Sequence, residues 1–138
     1  MPKVFTSKTQ KIGELGEGIA CKYLSKRGYG IVERNFTLPV GEIDIIALKE
    51  GVIHFIEVKS INVPRVTSNR SNIEQNLIRP EENMHPKKLE RLYRTIMSYM
   101  SYKNYSLKDK WQLDLLCIYL CPEEKWAKVK AVENIVVN

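Results

Sequence analysis

The sequence has little of what would place a chain in a membrane or hold it together covalently. No apolar run is long enough to cross a bilayer, and the basic opening stretch "MPKVFTSKTQKIG" is followed by no apolar signal core. The three cysteines, Cys21, Cys117 and Cys121, are odd in number and contain no C-x-x-C pair, so they suggest neither a disulfide framework nor a zinc knuckle. They read as core or incidental thiols of a reducing compartment, and the expected location is cytoplasmic, with no membrane partner. Internal repeats, low-complexity tracts and linkers are also missing. What is present is one domain's worth of chain, 138 residues with 43% hydrophobic composition, enough to bury a core. Lysine and arginine outnumber aspartate and glutamate by 22 to 16, a formal charge of +6. The excess favours a polyanionic partner such as nucleic acid, although solubility alone also accounts for a basic surface.

In "TQKIGELGEGIACKYLSKRGYG" the apolar residues Ile12, Leu15, Ile19, Ala20, Tyr23 and Leu24 recur at helical spacing, and Gly28 and Gly30 follow as stop signals. At about 100° per residue Glu14 falls opposite this stripe, whereas Glu17 falls at its edge beside Ala20 and Leu24 and can face inward. "IVERNF" then reads as an edge strand. "GEIDIIALKEGVIHFIEVKS" reads as a hairpin with a two-residue turn at Glu50-Gly51, which pairs Lys49 with Val52. Counting back from that turn sets Ile46 against Phe55, Asp44 against Glu57 and Glu42 against Lys59 on one face. Ile45 with Ile56, Ile43 with Val58 and Ala47 with His54 fill the other. Residues 61–86 contain Pro64, Pro80 and Pro86 without sustained periodicity and read as a long mobile loop. Pro86 suits the first position of a second helix, with Leu89, Leu92, Tyr93, Ile96, Tyr99 and Met100 as its stripe and Lys87, Lys88, Arg91 and Arg94 on its polar side. "WQLDLLCIYL" and "WAKVKAVENIVVN" close the chain as two strands.

The carboxylates in the hairpin are the chemical feature. Two acids opposed across antiparallel strands have Cβ atoms about 4.5–5.5 Å apart, and like charges so placed destabilise the pair. A divalent cation compensates: Mg²⁺ takes one or two carboxylates, retains several waters and accepts phosphate oxygens. Lys59, two residues beyond Glu57, projects to the same side, where an ammonium can orient a water or neutralise charge developing on a phosphate. Asp, then Glu-x-Lys on the adjacent strand, is a minimal kit for metal-assisted phosphodiester hydrolysis, and Glu17 is placed to add a ligand or hold a water.

"GEID" followed by "FIEVKS", after a helix bearing "LGEGIACKYLSKRGYGIVERNF", resembles the YraN family of restriction-endonuclease-like proteins within the PD-(D/E)xK nuclease superfamily. The similarity runs from about Gly13 to Asp114. It implies a single α/β domain over residues 1–138, with a restriction-endonuclease-like mixed β-sheet flanked by α-helices, related to Holliday-junction resolvases and tRNA-splicing endonucleases. It also implies Asp44, Glu57 and Lys59 as the catalytic signature with Glu17 as the acid of the first helix. Mg²⁺ or Mn²⁺ held by Asp44, Glu57 and Glu17 would be the cofactor, and a homodimer is an expectation from related nucleases. The chain departs from the family pattern at Thr37 and Gln112, where arginine is common, and at Leu89, where glutamine often follows the helix lysine.

The expected function is metal-dependent endonucleolytic cleavage of structured or branched DNA, with Lys87, Lys88, Arg91, Arg65 and Arg70 as phosphate contacts. The alternative is a nucleic-acid-binding module that keeps the fold without useful turnover. Simpler roles stand beside these. Asp44 and Glu57 are then ordinary strand charges, Lys59 pairs with Glu42, Asp114 makes a structural hydrogen bond, His54 is a satisfied core histidine, and His85 belongs to a helix entry.

Overall fold

The computed structural model describes residues 7–63, 84–106 and 108–135. Helix α1 (Lys8–Lys26) opens on a capping box, in which Ser7 Oγ accepts from the Gln10 N–H at 3.0 Å and Gln10 Oε1 accepts from the Ser7 N–H at 3.2 Å. It closes at Gly28, whose φ of +86° lets the Tyr29 N–H turn back to the Leu24 carbonyl at 3.1 Å. Strands β1 (Gly30–Leu38), β2 (Gly41–Lys49) and β3 (Val52–Asn62) run as an antiparallel meander. Helix α2 (Pro86–Tyr102) lies in the crossover to β4 (Trp111–Cys121), which pairs parallel to β3, and β5 (Trp126–Val132) returns antiparallel. The sheet order is β1-β2-β3-β4-β5. This is the mixed sheet with flanking helices that the resemblance implied, since one parallel pair requires a long crossover and the antiparallel pairs do not. Among the described residues no helix is long and apolar enough to cross a membrane.

Glu50 and Gly51 have φ of +50° and +78°, the two positive angles a type I′ turn needs, and the expected register holds from Lys49/Val52 to Ile45/Ile56. Each face of the sheet is covered by a helix. Ile46, Phe55, Leu113 and Leu115 pack against Leu92, Ile96 and Tyr99 of α2; Ile45, Ile56, Leu116 and Ile118 pack against Ala20 and Leu24 of α1. The sequence reading placed Ile43 beside Ile45, but Ile43 packs on the α2 side with Ile46. The cause lies on the neighbouring strand. Asn35, across from Asp44, has φ +51°, so β1 and β2 both skip one step of alternation and the paired residues Phe36 and Ile43 turn together toward Tyr99.

The stretch assigned to a loop over 61–86 is shorter at both ends. Ile61 and Asn62 continue β3 against Tyr119 and Leu120, and Pro86 is the first residue of α2, with His85 as its N-cap accepting from the Lys87 N–H at 3.2 Å. Residues 64–83, and with them Arg65 and Arg70, lie outside the described residues. None of the three cysteines forms a disulfide.

Asp114 and His54 are the buried polar pair of the sheet. The Asp114 carboxylate meets His54 Nδ1 at 2.7 Å and accepts from Gln112 Nε2 and the Asn134 N–H, both at 2.9 Å. One side chain thereby joins β3, β4 and the segment after β5, as the structural reading of Asp114 expected. Gln112, where arginine is common in the family pattern, is here a donor to Asp114. Asp114→Ala would leave His54 and two further donors without their acceptor in a dry site. We expect a loss of about 3–5 kcal/mol, read as a lower urea midpoint at unchanged m-value.

Candidate functional site: an acidic pair where two strands part

The closing pair of a two-residue hairpin is hydrogen-bonded, and hydrogen-bonded pairs recur at every second residue. Lys49/Val52, Ala47/His54 and Ile45/Ile56 therefore exchange backbone bonds, and in a regular ladder the Val58 N–H would go to the Ile43 carbonyl. It donates to Asp44 Oδ2 instead, at 2.8 Å. The ladder between β2 and β3 ends at Ile45/Ile56, so the expected pairings Asp44/Glu57, Ile43/Val58 and Glu42/Lys59 are not made. Glu42 lies opposite Thr37 of β1, Lys59 lies beside Cys117 of β4, and no ion pair joins Glu42 to Lys59 among the described residues.

The two acids nevertheless meet. Asp44 and Glu57 line the same two cavities, and each carboxyl feels the other's charge. Burial, followed by the charge of Glu57, pushes the Asp44 carboxyl up to about 7 against the pull of the Val58 N–H, and Glu17 adds to the rise.

Glu17 reaches this neighbourhood because α1 lies close on β3. A Cβ at Gly16 would come within 2.9 Å of Ser60 Cβ, so glycine sets the separation of helix and strand. The Glu17 carboxylate is half-buried, with Arg34 Nη2 at 3.9 Å. The Asn35 amide, turned with its nitrogen toward Glu17, donates to both oxygens at 3.3 Å. A second glycine seats the other helix: a Cβ at Gly41 would stand 2.7 Å from Thr95 Oγ1 and 3.3 Å from Arg91 Cγ.

Two cavities open from the acidic pair, and Asp44 and Glu57 line both. The larger, about 660 Å³, runs between β1, β2 and the start of α2, past Thr37, Lys87, Lys88 and Arg91. The other, about 540 Å³, runs along α1 past Lys8, Glu17 and Ser60. Lys88 spans the larger cleft, with Nζ 3.0 Å from Glu57 Oε1. Lys59 is exposed two residues along β3 from Glu57.

Of the site residues expected from sequence, Glu17, Asp44 and Glu57 share one neighbourhood, and Lys87, Lys88 and Arg91 line a cleft that reaches it. Sequence reasoning missed Arg34 and Asn35 as the holders of Glu17. It also missed the contact of Lys88 with an acid in place of a phosphate. An asparagine between strand-forming residues is the one available signal for the first, because asparagine tolerates positive φ better than its neighbours do. Leu89 is partly buried against the core on the α2 side.

The donor set is hard oxygen, which suits Mg²⁺ or Mn²⁺. One oxygen of each acid is engaged, Asp44 Oδ2 by Val58 and Glu57 Oε1 by Lys88, and burial, then the charge of Glu57, raises the proton affinity of Asp44. Among the described residues no three His, Cys, Asp or Glu side chains form a ready metal cage. Two carboxylates with water are sufficient for Mg²⁺.

A consequence for stability follows from the position of Asp44. Its folded-state value of about 7 lies above the ordinary aspartate value of 3.8, so the folded chain binds the proton more tightly than the unfolded chain. The stabilisation is fully present below about pH 4 and is lost as pH rises through about 7. Asp44→Asn can keep an acceptor for Val58 and donate to Glu57 at every pH. Thermal melts of the metal-free protein should show Asp44→Asn melting above wild type at pH 8, with the difference shrinking toward pH 4.

Comparison with known proteins shows which family the chain resembles. The model of the Uncharacterised protein family UPF0102 matches residues 16–118. A UPF0102 protein of Campylobacter jejuni subsp. jejuni (strain 81-176) is 42% identical over 106 residues, 77% of this chain and 81% of that protein. One from Campylobacter lari is 37% identical over 123 residues, 89% of this chain and 91% of that protein. One from Caldanaerobacter subterraneus subsp. tengcongensis is 34% identical over 113 residues, 82% and 83% of the two chains. With a matched span that contains Glu17, Asp44, Glu57, Lys59 and the whole of α2, the chain belongs to the UPF0102 family, the YraN family of the sequence resemblance.

Proposed function

We propose that this protein is a metal-dependent endonuclease that hydrolyses a phosphodiester bond of structured or branched DNA. The observation that carries the reading is the half-buried acidic pair, Asp44 held at about 7 beside Glu57, at the meeting point of two clefts, one of them walled by Lys87, Lys88 and Arg91. An acid pair this costly is poor structural material and good cation-binding material. Asp44 and Glu57 would hold Mg²⁺ or Mn²⁺, with Glu17 in support. A bound ion would supply charge neutralisation at the phosphoryl oxygens and a water of lowered pKa.

The remaining parts are assigned to the chain's own groups. Lys87 and Arg91, on the exposed side of α2, would bind backbone phosphates along the larger cleft and set the register of the strand. Lys59 would bring its ammonium to the water or to the charge that develops in the transition state. Val58 keeps Asp44 oriented through its N–H, so that the carboxylate is fixed before any ligand arrives. The structured or branched substrate comes from the superfamily resemblance. The cleft chemistry itself reads only polyanion.

A second reading has an observation in its favour. Glu57 is already paired to Lys88 and Glu17 to Arg34 and Asn35, an arrangement that also suits a binding module without turnover. Labelled hairpins, four-way junctions and single strands incubated with and without Mn²⁺ separate the two. The endonuclease reading expects Mn²⁺-dependent cleavage that falls about 100-fold or more in Lys59→Ala. Metal-independent binding with no cleavage by wild type supports the module. Titration of Mn²⁺ by calorimetry should detect binding to wild type and none to Asp44→Ala; equal binding by both removes the site. For either reading, Arg91→Ala should reduce the slope of log affinity against log salt by about 1.

A further inference from the structure

We propose that Lys88 is a built-in competitor for the metal ion: its ammonium occupies the charge-compensating position on Glu57 in the metal-free protein and is displaced from it when the ion binds. The proposal rests on the reading of Asp44 and Glu57 as metal ligands, and it deepens that reading by giving the site a regulator.

Three features support it. Lys88 Nζ lies 3.0 Å from Glu57 Oε1, while the Glu57 side chain is 15% exposed and that of Lys88 44% exposed. The acid is enclosed and its partner is reachable from the cleft. A cation that reaches Glu57 through the larger cleft meets this ammonium, and by either cleft two positive charges on one carboxylate repel each other.

Second, Lys88 sits in the first turn of its helix. Pro86 is the first helical residue, and the turn contains no acidic side chain. Cations at a helix N-terminus oppose the macrodipole. Little within α2 therefore holds the ammonium in place once Glu57 has another partner, and the flexible lysine stem allows it to swing into the cleft beside Lys87 and Arg91.

Third, the same cleft is the surface proposed to meet phosphates. A phosphate that draws Lys88 away from Glu57 removes the competitor, so polyanion binding raises metal affinity. By linkage, metal binding raises polyanion affinity by the same factor. The site would then load its ion most readily when a substrate is present.

The test is Mn²⁺ binding to the full chain, by calorimetry, for wild type, Lys88→Met, Lys88→Arg and a charge-matched control on the same helix, Arg94→Met. Lys88→Met should bind Mn²⁺ about two- to fivefold more tightly than wild type, the range expected when one partly exposed ion pair no longer competes. Arg94→Met and Lys88→Arg should remain near wild type. A second readout is the melting temperature. Metal-free Lys88→Met should melt below wild type, and saturating Mn²⁺ should raise its Tm by more than it raises that of wild type. Mn²⁺ affinity of Lys88→Met equal to or below that of Arg94→Met would overturn the proposal while leaving the metal site in place. Absence of Mn²⁺ binding by every variant would overturn the metal site and the competitor together.

Discussion

The Val58 N–H donates to a side chain where a backbone carbonyl should stand, and the geometry of the site depends on that exchange. The hairpin of β2 and β3 is regular for five pairs and then parts, with the Asp44 carboxylate taking over the last rung. Beyond that point β3 pairs with β4 alone, in a register that runs from Ile53 through Asn62, so one of its edges is released. The released edge is where Glu57 sits and where both clefts meet. A regular ladder would have buried the same carboxylates between strands or left them on an open face.

The molecule balances the resulting charge with four groups from three elements. Val58 answers Asp44 from β3, Lys88 answers Glu57 from α2, and Arg34 and Asn35 answer Glu17 from β1. Asp44 has one backbone hydrogen bond, the lysine on Glu57 is partly exposed and the arginine on Glu17 stands 3.9 Å away, and Asp44 still rises to about 7. Such compensation is sufficient for folding and leaves the acids short of charge. Stability given up at a functional site is a common pattern, and here the cost has a named group and a pH window. The His54–Asp114 pair on the same sheet shows the contrast, because there each carboxylate oxygen is engaged and the pair is enclosed.

Much of the fold was legible because local signals agreed with one another. Gly28 marked the end of α1, Glu50-Gly51 fixed the hairpin, and the alternation of Ile45, Ala47, Ile53 and Phe55 set its register. The two acids were expected near each other as a cross-strand pair, which the structure does not make; they share a site where the strands part. What sequence could not supply depends on contacts between elements. The turn of Ile43 toward α2 originates in Asn35 on another strand, and the Lys88–Glu57 pair needs the crossover to bring α2 over β3. Glu17 was ambiguous for a related reason. Periodicity put it at the edge of a stripe, and only the close seating of α1 at Gly16 decides which way the edge faces.

The central claim is that the edge released by Asp44 is a cation site for which Lys88 stands in. The most direct measurement is the anomalous scattering from a crystal of the full chain soaked in Mn²⁺. The account predicts an ion in contact with the carboxylates of both Asp44 and Glu57, with Lys88 Nζ withdrawn from Glu57. Crystals at saturating Mn²⁺ with no ion at this pair, and with the Lys88–Glu57 contact intact, would contradict it.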